Sequence, residues 1–196
     1  MKRDATDLRA SLHRLAATQA GFFTAGQALN VGYSYPAQLY HHKRGEWLRV
    51  DRGIYRLVPW PDAENADLVR WTLWSRGQGV VSHDTALAVH SLGDILPAKV
   101  HLIVPAAFRA SDPSVVLHRS PVDGDDVEDR VGFRLSAPTR SILDTAADMD
   151  IDRLAHVIRD AVDRGLTSPG RLRRRADEFG PSSALAIERA LRQVGL

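Results

Sequence analysis

Two short runs of β-forming residues, Trp47-Leu48-Arg49-Val50 and Ile54-Tyr55-Arg56-Leu57, flank Asp51-Arg52-Gly53. A short turn with glycine between two such runs predicts a β-hairpin. No other feature narrows the fold of this end of the chain as much, because everything before the hairpin reads as helix. Leu8, Leu12, Leu15 and Ala16 recur at helical spacing with Arg9 and Arg14 on the opposite face, and Gly21 ends that helix. Thr24 is a good N-cap for a short second helix, Ala25 to Leu29, which Gly32 stops. Ser34 is the next N-cap, and Pro36 is tolerated in a first turn. A third helix then runs through Ala37, Leu39 and Tyr40 to Arg44, with Gly45 as its terminator. Three helices followed by a hairpin is the order of a winged helix-turn-helix.

In such a module the start of the third helix faces base edges, while the hairpin lies along phosphates. Here the helix offers Ser34, Tyr35, Gln38, His41, His42, Lys43 and Arg44, with Leu39 and Tyr40 expected to face the core. Gln38 suits bidentate hydrogen bonding to adenine, and Lys43 or Arg44 suits guanine or phosphate. Arg49 and Arg52 at the hairpin tip suit phosphate. The competing reading of these polar residues is a solvated helix face.

Charge bears on that choice. The chain holds 26 Lys+Arg and 24 Asp+Glu, a formal net charge of +2 that points to no partner. Divided at Val58, just before Pro59-Trp60-Pro61-Asp62, it becomes 9 against 4 (+5) over residues 1–58 and 17 against 20 (−3) over 59–196. Charge acts locally, so a +5 module with this helix order is expected to bind double-stranded DNA. The proline-rich stretch is the expected linker between domains 1–58 and 59–196.

The 196 residues include no cysteine, which excludes disulfides, cysteine-ligated zinc and iron–sulfur clusters. No run approaches the ~18 apolar residues of a membrane span, and the start Met1-Lys2-Arg3-Asp4 has no signal-peptide core. A cytoplasmic protein without membrane partners, cofactor or metal is expected.

The second domain reads as α+β with a helical end. Glu64 to Trp74 predicts a helix, Val80-Val81 a buried run, and Asp84 to Ser91 a helix capped by Ser82. Val100 to Val104, Val115 to His118 and Gly132 to Leu135 predict strands. Helices follow from Pro138 or Thr139, from Ile151, from Leu172 to Phe179, and from Ser182 to Val194 with Leu185, Ile187 or Ala186, and Leu191 inward. Ser82-His83-Asp84 is not a catalytic triad, since consecutive residues at a helix start diverge. His83, His90 and His101 are the histidines nearest to a metal set, and hydrogen-bonded histidines are the commoner case. Asp123, Asp125, Asp126, Glu128 and Asp129 form an acidic run without the spacing of a calcium loop, expected to be solvated. Arg171, Arg173, Arg174 and Arg175 form a basic cluster suited to extra phosphate or partner contacts. Arg140 and Asp144, four apart, are expected to pair.

Several blocks resemble one family. Gly21-Phe22-Phe23-Thr24-Ala25 and the run Arg44-Gly45-Glu46-Trp47-Leu48-Arg49-Val50-Asp51-Arg52-Gly53-Ile54-Tyr55-Arg56-Leu57 look like the N-terminal domain of AbiEi-type antitoxins. Ser82-His83-Asp84-Thr85-Ala86-Leu87, Pro138-Thr139-Arg140-Ser141-Ile142-Leu143-Asp144 and Arg164-Gly165-Leu166 resemble blocks of its C-terminal domain. The resemblance implies the antitoxin of a type IV toxin–antitoxin (abortive infection) pair. Such a protein neutralises a nucleotidyltransferase-like toxin, without requiring a stable complex, and represses its own operon at promoter inverted repeats. It would be a monomer or weak dimer paired on DNA, and not an enzyme. The alternatives are a ligand-responsive winged-helix repressor unrelated to a toxin, and an enzyme that modifies the toxin.

Overall fold

The structure, a computed structural model, describes residues 4–196. The chain is α+β and divides into two compact units. The first runs through Gln78 and takes in Arg130–Phe133; the second comprises Gly79–Asp129 and Arg134–Leu196.

The first unit holds α1 (Ala5–Ala17), β1 (Phe22–Thr24), α2 (Ala25–Val31), α3 (Tyr35–Lys43), β2 (Trp47–Asp51), β3 (Ile54–Leu57) and α4 (Ala66–Trp74). This follows the order read for a winged helix-turn-helix. Local chemistry accounts for the helix starts. Thr24 forms a full capping box with Gln27, and the Ser34 hydroxyl accepts from the Ala37 N–H. Strand β1 is an addition to the expected elements. It pairs antiparallel with β3, Phe23 opposite Tyr55, so that β3 becomes the centre of a three-stranded sheet ordered β1-β3-β2. Three residues are too few to show a period, and the partner strand lies far along the chain. The core is Leu12, Ala16, Phe23, Ala28, Tyr33, Trp47 and Leu57, with the Phe23 ring edge-on to Trp47 at 4.8 Å.

This compact unit does not end at the expected cut at Val58. Trp60 packs on its core, and α4 buries Leu68, Val69 and Trp71 while touching β1 and β3. The prolines thus mark a connection inside the unit. The charge contrast survives the shift, because α4 and its flanks are nearly balanced: the first unit holds 12 Lys+Arg and 7 Asp+Glu (+5), the second 14 and 17 (−3).

The second unit carries β4 (Val80–Val81), α5 (His83–Val89), β5 (Val100–Ile103), β6 (Val115–His118), β7 (Val127–Arg130), β8 (Phe133–Ser136), α6 (Pro138–Thr145), α7 (Ile151–Asp163), α8 (Pro169–Ala176) and α9 (Pro181–Gln193), with β7 and β8 running into the Arg130–Phe133 turn. Its mixed sheet is ordered β6-β5-β4-β8-β7, with β4–β5 antiparallel and both β5–β6 and β4–β8 parallel. Helices α5 to α9 enclose one apolar core that includes Leu87, Leu92, Ile142, Leu154, Ile158 and Leu191. The stripe Leu154, Val157, Ile158 and Ala161 of α7 is fully inward, as its spacing requires. Ile187 and Leu191 carry the buried face of α9 as expected, joined by Ala190, whereas Leu185, also expected inside, is 52% exposed. Strand β7 falls in the acidic run read as a solvated loop. Among the described residues, no helix is long and apolar enough to cross a membrane.

Candidate nucleic-acid interface

Helix α3 is rotated relative to expectation. Gln38, taken as a base reader, is 2% exposed, and its amide donates to the carbonyls of Ala25 and Tyr33, each at 3.1 Å. It joins the turn between α2 and α3 from inside. Leu39 and Tyr40, expected in the core, are instead 52% and 55% exposed. A buried polar group must be hydrogen-bonded; here two backbone acceptors supply the partners, and this fixes the helix phase against the hydrophobic preference. Gln38→Ala is therefore expected to destabilise the first unit by about 1–3 kcal/mol, because two inward carbonyls lose their donor. Tryptophan emission during urea unfolding reads this directly, since Trp47, Trp60, Trp71 and Trp74 all lie in that unit.

His41 and His42 fasten the end of α3 to β2. His41 Nδ1 lies 2.6 Å from Glu46 Oε2 and its ring stacks on Trp47 at 4.9 Å, while His42 Nδ1 lies 3.1 Å from the Trp47 carbonyl. Arg44 donates through Nε to Glu46 (2.9 Å) and through Nη1 to the Tyr40 hydroxyl (3.1 Å). Hydrogen bonds from His41, then Arg44, hold the Glu46 carboxyl below its usual range. These three basic residues are thus engaged within the module, and two of them are half-buried.

The outward face consists of Ser34, Tyr35, Leu39, Tyr40 and Lys43 on α3, with Leu48, Arg49 and Arg52 on the hairpin. Arg49 Nε donates to the Asp51 carbonyl at 3.4 Å, and Arg52 sits exposed in the turn. Beside α3, a cleft of about 760 Å³ opens between Leu8, Leu12, Tyr33, His41, Glu46 and Trp47.

In the second unit the basic cluster divides. Arg171 and Arg174 are exposed, whereas Arg173 pairs with Glu188 at 2.8 Å. Arg175 is largely buried: it grips the Asp126 carboxylate with both terminal guanidinium nitrogens and bonds Glu178 at 3.0 Å. Neither Arg173 nor Arg175 is the uncommitted cation that a charge run suggests. Asp126, expected in a solvated loop, is 1% exposed and also accepts from Arg140 at 3.0 Å. Arg140 further donates to Asp144 (2.9 Å), the Pro121 carbonyl (2.9 Å) and Ser120 Oγ (2.8 Å), and lies over the Phe179 ring. Burial pushes the Asp144 carboxyl up to about 6 despite Arg140 beside it. Burial likewise acts to raise Asp126, but hydrogen bonds from Arg175 and Arg140 leave it lowered. Only the Arg140–Asp144 pair, four apart on one helix, had a sequence signal.

The histidines also regroup. His90 is buried and donates to the Ser136 carbonyl at 2.9 Å, away from the set expected with His83 and His101. His118 joins those two instead. Ser82 occupies the N-cap of α5 without a side-chain cap; its buried hydroxyl meets His83 Nδ1 at 3.0 Å.

Comparisons with known proteins bear on the first unit most. Residues 11–58 match the family described as transcriptional regulator, AbiEi antitoxin, and this segment contains α2, α3 and the β2–β3 hairpin. The crystal structure of the Rv2827c protein from Mycobacterium tuberculosis is similar over 100% of this chain and 79% of its own, with a TM-score of 0.64 at 15% identity, a likeness of fold alone. No curated protein matches the sequence.

Proposed function

We propose, taking residues 11–58 as the AbiEi-type antitoxin regulator segment that they match, that the chain is the antitoxin of a type IV toxin–antitoxin pair. It neutralises a nucleotidyltransferase-like toxin and represses its own operon by binding promoter inverted repeats, two copies pairing on the DNA. The observation that carries the DNA half is the solvent face of α3 and its hairpin, set in the +5 unit.

Affinity in this reading comes from Lys43, Arg49 and Arg52 on phosphates. Base reading falls to Ser34, Tyr35, Leu39 and Tyr40. Leu39 and the two tyrosine rings offer apolar contact to thymine methyl groups, and the hydroxyls offer hydrogen bonds. Gln38 takes no part, and Arg44 contributes only if DNA displaces Glu46. Arg171 and Arg174 supply any additional contact from the second unit.

Each phosphate neutralised contributes about 0.9 to the slope of log K against log salt. Arg49→Ala/Arg52→Ala is therefore expected to weaken binding to the promoter repeat and to flatten that slope by about 1.8, measured by fluorescence anisotropy over a salt series. An unchanged slope overturns the hairpin assignment. The antitoxic half is tested with the same full-length variant, co-expressed with the neighbouring toxin. Growth rescue without promoter repression is expected, and loss of rescue by a folded variant overturns the separation of the two roles.

A ligand-responsive repressor is the second reading, favoured by the cleft beside α3. A small molecule there would bear on His41, Glu46 and Trp47, which anchor the helix to the hairpin. Operator affinity that stays constant with and without dialysable cell extract removes this reading.

A further inference from the structure

His83, His101 and His118 come from three elements of the second unit and meet in one place. His83 is the first residue of α5, and His101 and His118 lie on adjacent parallel strands, where their register puts both on one sheet face. The Thr85 hydroxyl accepts from the His101 N–H at 2.9 Å, and the Ser82 N–H donates to the His101 carbonyl at 3.0 Å, so the start of α5 is fastened to β5 beside the cluster. His83 has φ +50, an uncommon conformation for a non-glycine residue. It delivers the ring against His118, with centroids 3.4 Å apart.

We propose that these three histidines form a binding site for a borderline divalent metal ion of the zinc type, with a fourth position open to water or an anion. One nitrogen from each ring lies within 4.8 Å of the others, and His101 Nδ1 is 3.1 Å from His118 Nε2. Two ligands at about 2.0–2.1 Å from a tetrahedral ion stand about 3.3 Å apart, so this pair is already near ligating distance. His83 closes the set when its ring tilts out of the stack with His118.

The electrostatics agree with that geometry. Metal takes neutral imidazole. Burial first, then the neighbouring histidines, hold His83 at about 3 and His118 at about 4, and burial also lowers His101. Asp84 acts on His101 and His118, and Asp148 on His118, both favouring positive charge, while Arg140 opposes it at His83. The three side-chain donors are all imidazole nitrogens. Imidazoles select zinc, cobalt, nickel or copper over magnesium or calcium. All three residues are half-buried and so remain reachable by an ion. A metal here would tie α5 to β5 and β6, independently of the DNA-binding face.

The test uses the untagged full-length protein, stripped with EDTA. Titration with CoCl2 is expected to give the intense visible absorption of tetrahedral cobalt, saturating at one equivalent, and ZnCl2 is expected to displace it and raise the melting temperature. His118→Gln should lose both responses, while His156→Gln, at an exposed position, keeps them. Wild-type protein that gives no tetrahedral cobalt spectrum overturns the proposal without reliance on any variant. So does a stoichiometry that survives in His118→Gln.

Discussion

Arg140→Ala is expected to destabilise the second unit by about 3–5 kcal/mol, the range for breaking a buried ion pair from one side. Arg140 is 3% exposed and its guanidinium is shared by Asp126, Asp144, Ser120 and the Pro121 carbonyl. Removing it leaves Asp144 a buried carboxyl without its hydrogen-bonded cation, with only the more distant field of Arg175, and leaves Asp126 with Arg175 alone. Urea unfolding followed by far-UV circular dichroism gives the magnitude, and tryptophan emission separates any loss in the first unit. Most of the penalty comes from the stranded carboxylate, so Arg140→Ala/Asp144→Ala should recover part of it. A loss under 1 kcal/mol in the single variant would show that Arg175 suffices to hold the network.

Phe23→Ala is expected to cost the first unit about 3–5 kcal/mol, the range for truncating a buried aromatic. Phe23 is 0% exposed, meets Trp47 edge-on at 4.8 Å and stacks on Tyr55 at 5.9 Å, and lies in the strand that pairs with β3. Its removal opens a cavity where the sheet meets the helices. Operator binding should fall with the folded fraction of the unit, read from tryptophan emission, and the salt slope of what remains should stay as in the wild type. That separates it from Arg49→Ala/Arg52→Ala, where the unit stays folded and the slope itself changes. Undiminished stability would place the packing of the module elsewhere than around this ring.

Helix starts and the hairpin were legible because they depend on neighbours in sequence. Thr24 and Ser34 cap as their side chains dictate, and the turn at Asp51-Arg52-Gly53 follows from its glycine. The candidate interface was legible as a segment but not residue by residue. Leu39 looks like a core residue and Gln38 like a surface one, yet the fold reverses them, because the carbonyls of Ala25 and Tyr33 need a donor from within. Charge runs misled for a related reason. Asp126 and Arg175 are 49 residues apart, and no local pattern announces that they meet.

The sequence by itself determined the α+β class, the helix order before the hairpin and the local excess of positive charge. Each follows from periodicity, capping or composition, all short-range properties of the chain. Only the tertiary structure decided the extent of the first unit, the side chains that α3 presents and the histidines that converge. Those depend on strand register and burial between distant segments, where the free energy of satisfying buried polar groups outweighs local preference.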